Sequence, residues 1–490
     1  MTGIGAVAAW ASPVLVVAVV AHVSAGGLEA PLFVLAALAA PLLALLASPE
    51  RRGTSSGFAT TLGLVSVVCV LAAGFRAVAD VGHVLGLETG ATLGSALVLV
   101  LVTTVWRDHH RVAATALVLG AGALLVALVM LGASAAVSPW TAWSRVASRG
   151  AFELGERSEW TREGAQFPQL TTLTFTEPHK ITAATDTLLR VTERDRTTTV
   201  RERRLAAGES LLVRPGDSLA IPAGARLRFE AGRRVPGAPP SGVVWADGEG
   251  VSRRRLLVWW VGLTLTLAGG ALMIVRSVAA PSRASAVGGP AVMFTIVLAS
   301  TCWGVYAIAT APELSLGVPT AALLVRLAPV VADEPWRSRI LASIVLALLA
   351  LFLASAAALR HSLVDLTTTD PASVRRRLVE AATWVVMVVV AAGVSPLAAD
   401  GFTLLALGAG LATTVHLGPL LVRGQGPGVD SARAKGALVG AVIFVLLALL
   451  ARWSGPLGLI GAVIQYPALV AAPTAWLVAT LARGGESGRA

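Results

Sequence analysis

The chain has 490 residues, of which 55% are hydrophobic and only 14% charged, and its mean hydropathy is +0.76. These values exclude an ordinary soluble domain and indicate an integral membrane protein. The formal net charge of +11 does not indicate nucleic-acid binding, because the arginines lie mostly at the ends of apolar segments, where membrane topology and anionic lipid explain them.

The amino-terminal part, residues 1–137, contains a series of long apolar segments. A helix needs about 20 apolar residues to cross the hydrocarbon core of a bilayer. The segments lie at 4–23, 29–48, 58–78, 91–106 and 113–133. Basic clusters alternate with acidic loops between them, and basic loops stay in the cytoplasm. This alternation predicts five spanning helices, a cytoplasmic amino terminus and an extracytoplasmic residue 138.

A polar insert, residues 138–254, interrupts the apolar chain. From Leu170 onward, short runs rich in Thr, Val and Leu alternate with turn residues, which predicts about six to eight antiparallel strands in a sandwich or small barrel. The proline-rich stretch after them predicts an extended strap with Trp245 packed against the domain or the membrane. Tryptophans flank the insert and are predicted to be interfacial anchors. They are Trp140, Trp143, Trp259 and Trp260.

One turn of the insert, GDSLAIPAGARLRF, resembles the second conserved motif of the cupin family. Gly216, Pro222 and Gly224 are in register with that motif. The resemblance implies a barrel-like strand–turn–strand. Cupins have a metal-binding histidine where this chain has Leu227, and the paired histidines and glutamate of their first motif are absent. This departure argues against a cupin metal site, and no metal ligand set is predicted.

The carboxy-terminal part, residues 255–490, contains about seven more apolar segments. They lie at 256–275, 287–310, 340–359, 379–398, 402–422, 436–451 and 457–482. A further stretch near 316–332 is predicted to be an outer re-entrant or surface-lying helix bounded by Pro319 and Pro329, because the arginine-rich loops after it then fall in the cytoplasm. We therefore expect a polytopic α-helical protein of the bacterial inner membrane, with about twelve spans, both termini cytoplasmic and the all-β insert outside.

Histidines and one glutamine are the candidate functional residues within the apolar parts. His416 and Gln465 are polar groups inside predicted spans, and such groups are functional candidates by default. His22 and His83 fall near predicted outer helix ends, where a pair of histidines can bind haem. The insert and the helix after it are similar in arrangement to the end of membrane-bound cytochrome c maturation proteins, although TCWGVYAIATAPELS lacks their repeated tryptophans and aspartate.

No catalytic motif is evident in the sequence, so an enzyme is the less favoured reading. We expect a structural or assembly subunit of the membrane whose outer β-domain docks a periplasmic or membrane protein partner. Two alternatives stay open: a transporter or permease using His416 and Gln465, and a membrane factor that handles haem.

Overall fold

The structure, a computed structural model, describes most of the chain in separate ranges. The described residues are 12–25, 35–36, 39, 57–102, 109–156, 159–167, 170–193, 200–239, 241–247, 257–258, 260–268, 283–316, 321–367, 374–397, 401–417, 422, 427–453 and 466–487. They form a mainly helical protein with a separate, small, all-antiparallel β-region. This confirms the coarse prediction of a helical chain with an inserted β-domain.

The helices are numbered α1 to α14 in chain order. They are α1 (Pro13–Ala25), α2 (Gly57–Val84), α3 (Thr89–Val102), α4 (His109–Ala135), α5 (Pro139–Ala147), α6 (Glu159–Arg162), α7 (Gly242–Asp247), α8 (Arg283–Thr310), α9 (Ala321–Val331), α10 (Trp336–Thr367), α11 (Val374–Val394), α12 (Gly401–Ala412), α13 (Pro427–Trp453) and α14 (Ala468–Ser487). The 3₁₀ turns Pro312–Ser315 and Ser395–Leu397 follow α8 and α11, and residues 260–268 are also helical.

Within the described ranges, six helices are long and apolar enough to cross a membrane. Their apolar stretches are Thr61–Val84, Arg111–Ala135, Ala291–Thr310, Trp336–Arg360, Val379–Leu397 and Gly428–Ala451. Shorter apolar helices occur at Pro13–Ala25, Thr89–Val102, Gly401–His416 and Ala468–Arg483. These helices fit a multi-pass membrane protein, while the count of about twelve spans stays a prediction. The predicted segment 29–48 lies outside the described residues, apart from Leu35, Ala36 and Ala39.

Small residues set the spacing of the helical bundle. Helix α2 packs against α1, α3, α9, α10, α11, α12 and α13. At Gly74 of α2, an added Cβ atom would lie 2.4 Å from the Phe352 ring of α10, and that ring also meets Phe75 edge-on with centroids 5.0 Å apart. Lipid tails are as apolar as the side chains, so close backbone approach and dispersion hold such helices together.

The β-region consists of eight described strands in two four-stranded sheets. They are β1 (Ala165–Gln166), β2 (Thr171–Thr174), β3 (His179–Ala183), β4 (Thr187–Thr192), β5 (Val200–Leu205), β6 (Ser210–Val213), β7 (Ser218–Ile221) and β8 (Arg226–Phe229). The first sheet has the order β1-β8-β3-β6 and the second β2-β7-β4-β5, with every pair antiparallel. This order is that of a jelly roll, so the sandwich is found and the closed barrel is not.

The core of the jelly roll lies between its two sheets. In most strands, though not in β5, buried residues alternate with more exposed ones, and Ile181, Leu189, Leu219 and Leu227 are fully buried between the sheets. Cupins share the jelly-roll architecture, so the strand–turn–strand implied by the resemblance is present. Leu227, which stands where a cupin has its histidine, is part of this apolar core.

Two details of the predicted connections are wrong. The stretch after β8 is not extended throughout, because residues 242–247 form helix α7 after the prolines. Pro329 lies inside α9 and not at its end. Helix α9 is too short to cross a bilayer, since its eleven residues rise about 1.5 Å each. Leu324 and Leu327 are fully buried in the bundle, and the choice between a re-entrant and a surface-lying helix stays a prediction.

Replacing Gly436 with Ala is expected to lower the thermal stability of the detergent-solubilised protein. Helices α13 and α14 meet here, and the added Cβ would lie 2.4 Å from the Ala475 carbonyl oxygen and 2.7 Å from the Ala479 Cβ. Overpacking of this kind costs about 1–3 kcal/mol. The matched control is Gly122→Ala on α4, where an added Cβ meets nothing within 4 Å. Equal melting temperatures for the two variants would contradict this packing.

Candidate functional site

The β-domain joins the helices around the buried side chain of Trp245. The indole Nε1 of Trp245, on α7, donates a hydrogen bond of 3.0 Å to the Val23 carbonyl oxygen. Its ring packs on Trp143 of α5 with centroids 4.6 Å apart. Val23 lies in the last turn of α1, where helix carbonyls have no partner within the helix. One bond therefore satisfies both a helix-end carbonyl and a buried indole N–H.

A close backbone contact holds α7 against α5. The amide of Gly242 donates to the Arg149 carbonyl at 2.8 Å. An added Cβ atom at Gly242 would lie only 1.8 Å from the Val146 carbonyl oxygen, so no larger residue fits without moving the backbone. The glycine thus sets the position from which Trp245 reaches α1.

The carboxy-terminal end of α8 forms a second contact between the β-domain and the helices. Arg149 Nη1 donates to the Ala309 carbonyl at 3.4 Å, and the Tyr306 hydroxyl donates to the Val137 carbonyl at 2.6 Å. Just beyond α8, Leu316 is 2% exposed and belongs to the jelly-roll core together with Leu154. The β-domain is therefore held by the segment that follows α8 and inserts Leu316 into its core, as well as by the Trp245 contact.

Glu313 lies at this second contact, in the 3₁₀ turn after α8. Its side chain is buried, with Oε1 close to Gly155. Burial raises the pKa of the Glu313 carboxyl, and the nearby charge of Arg149 acts in the opposite direction without cancelling the effect. Burial therefore disfavours the charged carboxylate of Glu313 at this contact.

The predicted tryptophan anchors occupy different environments. Trp140 is 77% exposed on α5, as a side chain at a membrane interface can be. Trp143 is half-buried and stacks on Trp245, so it contributes to the joint between β-domain and helices. Trp260 is half-buried at the start of the helical segment 260–268. Trp259 lies outside the described residues.

His416 lies in a π-helical turn, Thr413–Leu417, that continues α12. Its side chain is 2% exposed. The Thr413 hydroxyl lies 2.6 Å from the Leu265 carbonyl oxygen of the neighbouring helix and 3.2 Å from the Ala409 carbonyl, and the Thr414 hydroxyl donates to the Gly410 carbonyl at 3.0 Å. A π-turn disturbs the regular backbone ladder, and these hydroxyls supply donors to carbonyls around it.

Thr266 extends this polar cluster from the helical segment 260–268. Its hydroxyl is buried and makes no hydrogen bond within the described part of the chain, and its methyl group packs near Gly410. The cluster of Thr266, Thr413, Thr414 and His416 is thus a buried polar site among apolar helices. Gln465, the other predicted intramembrane polar residue, lies outside the described residues.

The remaining histidines give no metal centre in the described ranges. His22, in the last turn of α1, meets the Phe402 ring edge-on with centroids 5.9 Å apart, whereas His83 is exposed at the end of α2. No group of three or more His, Cys, Asp and Glu side chains that could hold a metal ion occurs among the described residues. The structure thus places His22 against an aromatic ring and leaves haem binding an expectation.

His179 is the buried histidine of the jelly roll. Its Nε2 lies 3.9 Å from Glu177 Oε1, its ring is 5.1 Å from that of Phe175, and its Nδ1 has no hydrogen-bond partner within the described part. Glu177 in turn accepts a hydrogen bond from the Arg234 amide. Burial lowers the pKa of His179, while the Glu177 carboxylate raises it by a smaller amount. Burial of the His179 ring therefore disfavours its charged form within the sandwich.

Sequence reasoning missed three of these contributors. The sequence predicts that Leu316 belongs to the helix near 316–332, although it packs in the β-core. The sequence gives no reason to single out Thr266 or Thr413, because threonine is common in membrane helices. The run TTVHLGP, with a proline after the histidine, was the available signal for an irregular helix there.

Comparison of the chain with family models and with curated proteins gave no match.

Replacing Trp245 with Phe is expected to destabilise the joint by about 1–3 kcal/mol, because the buried Val23 carbonyl loses its donor while the aromatic packing is largely kept. Thermal unfolding of the detergent-solubilised protein measures the effect. The control is Trp140→Phe, since Trp140 is 77% exposed. If both variants melt like the parent chain, the hydrogen bond to Val23 does not hold the joint.

Replacing Glu313 with Gln is expected to flatten the pH dependence of stability just above the ordinary carboxyl pKa of 4.5. The pKa is raised in the folded chain, so the contribution of Glu313 is fully present below 4.5 and is lost as the pH rises through the folded pKa. Melting temperatures measured across this window should therefore decline more steeply for the parent chain than for the variant. Identical slopes would show that Glu313 is not buried at the contact. Glu88→Gln, at an exposed site, controls for removing a charge.

Proposed function

We propose that the protein is a structural or assembly subunit of the bacterial inner membrane, whose β-domain docks a periplasmic or membrane protein partner. In this proposal the chain spans the bilayer about twelve times, both termini are cytoplasmic, and residues 138–254 are outside. The charge alternation in the sequence supports this orientation.

The observation that carries the proposal is that several separate contacts hold the jelly roll against the helices. Trp245 bonds to α1, Arg149 bonds to the end of α8, and Leu316 enters the β-core. A domain on a flexible tether samples many orientations, and ordering it on binding costs free energy. A domain fixed by several separate contacts presents its surface in one orientation, which suits a docking platform.

Purification of the full chain in mild detergent tests the proposal. We expect a companion polypeptide in fixed ratio, and a particle heavier than the 50.1 kDa chain together with its detergent. Replacing residues 165–229 with a short linker should leave the helices in the membrane and remove the companion. The excised ends are adjacent, because an added Cβ at Gly164 would lie 3.2 Å from the Leu227 carbonyl oxygen. A lone chain, or a companion retained after excision, would overturn the proposal.

A transporter is the second candidate, and the polar cluster around the π-turn favours it. Buried hydroxyls and an imidazole within apolar helices are the groups that line transport pathways. This reading predicts that Thr266→Val together with Thr413→Val abolishes uptake of a polar solute into vesicles containing the protein, and leaves any companion bound. Companion loss in the excised chain and unaltered vesicle permeability would favour the docking function instead.

A further inference from the structure

The open edges of the jelly roll are protected to different degrees. In the second sheet, the edge strand β5 carries Arg201, Glu202, Arg203 and Arg204, all exposed. Ion pairs run along and beside it: Arg190–Glu202 at 2.8 Å, Arg201–Glu193 at 3.2 Å, Arg203–Glu209 at 3.7 Å and Arg204–Asp186 at 3.7 Å. Charged side chains on an edge strand keep other strands from pairing with it.

Strand β6, at one edge of the first sheet, has no such protection. Its four residues, Ser210–Val213, carry no charge, and Leu212 is 66% exposed. At the opposite edge of the same sheet, β1 has only two residues and packs against α6. Both edge strands of this sheet are therefore uncharged, and β6 is the longer one and carries an exposed leucine.

The backbone of β6 presents hydrogen-bonding groups outward. The Ala183 amide donates to the Glu209 carbonyl at 3.0 Å, and Ile181 stands opposite Leu211. Successive residues of an antiparallel strand alternate in direction, so Ser210 and Leu212 direct their N–H and C=O groups away from β3. Beyond them, the Arg214 amide donates a hydrogen bond of 3.1 Å to Asp217 Oδ2 and is therefore not available to another strand.

The outer face beside this edge is basic. Lys180 stands opposite Leu212, and Arg228 stands opposite Thr182 on the next strand. Arg214 directly follows β6 and is exposed. Lys180, Arg214 and Arg228 are exposed, and none forms an ion pair with an acidic side chain in the described ranges, whereas Arg226 pairs with Glu163 at 3.4 Å.

We propose that β6 accepts an extended, acidic segment of a partner protein as an added strand. The segment's backbone pairs with Ser210 and Leu212, and its carboxylates meet Lys180, Arg214 and Arg228. An anionic lipid surface could satisfy the basic side chains but offers no ladder of alternating donors and acceptors to the β6 backbone. This inference rests on the proposed docking function and names the surface and the chemistry of the partner.

A photo-crosslinking residue placed at Leu212 of the full chain, in its native membrane, tests the inference. We expect a covalent adduct whose cross-linked peptide is an acidic segment of another protein. The double variant Lys180→Glu with Arg228→Glu should reduce the adduct at least about tenfold, since like charges across an interface cost several kcal/mol and 1.4 kcal/mol is tenfold in binding. The matched control, Arg201→Glu with Arg204→Glu, makes the same charge change on β5 and should leave the adduct unchanged.

A defined peptide separates the backbone and charge contributions. A labelled peptide of alternating Glu and Val should bind the purified full chain and lose binding in the Lys180→Glu, Arg228→Glu double variant; a Lys–Val peptide should not bind. An adduct to lipid, to a second copy of this chain, to a non-acidic protein segment, or no adduct at Leu212 would overturn the inference. If a companion co-purifies and is retained by the double variant, this surface is wrong while the docking function stands; if no companion exists, the docking function itself fails.

Discussion

The hydrogen bond from Trp245 to the Val23 carbonyl is the constraint on which the arrangement of the two parts depends. It joins residues 222 positions apart, so the first apolar helix and the segment that leaves the β-domain must meet before it can form. The last carbonyls of α1 have no partner within the helix, and a carbonyl left unbonded in an apolar setting costs about 1–3 kcal/mol. Trp143 packs on the same indole, and the hydrogen bond is buried, where it is stronger than in water.

The same requirement for backbone partners explains the π-turn at His416. Away from water, a helix can depart from regular geometry only where other groups supply the missing hydrogen bonds. Thr413 and Thr414 do this with their hydroxyls, toward Leu265, Ala409 and Gly410. These hydrogen bonds stabilise the π-turn, and the π-turn places the His416 imidazole in the protein interior. Arg76 and Asp80 follow the same rule, because they lie 3.0 Å apart on one face of α2. Each charged group thus has its partner one helical turn away.

The helical character and the strands of the β-region could be predicted from the sequence, whereas the number of spans stays a prediction and the pairing of the strands could not be predicted. Long apolar runs predicted the helices because length and hydropathy are local properties, and the alternation in residues 170–229 predicted the strands for the same reason. The choice between sandwich and barrel depends on which strands pair, as in β1 with β8, and these pairs are far apart in the sequence. Leu316 could not be assigned to the β-core, since its neighbours are apolar for either role. The role of the polar groups at the π-turn depends on the Leu265 carbonyl, which lies on another helix and is therefore not evident from the local sequence.

The distribution of charge over the jelly roll is not explained by stability. Exposed ion pairs contribute about 0–1 kcal/mol each, and two of those near β5 are as long as 3.7 Å. Their common feature is position, because all four lie along or beside one open edge. On the first sheet Arg228 is also exposed, yet the β6 edge carries only serine, leucine and valine. The fold thus has a charged edge at β5 and an uncharged edge at β6, which lies beside Lys180 and Arg228. This distribution is consistent with selective strand pairing. The charges of β5 disfavour pairing with any strand, whereas β6 can pair with a strand whose acidic side chains complement Lys180 and Arg228.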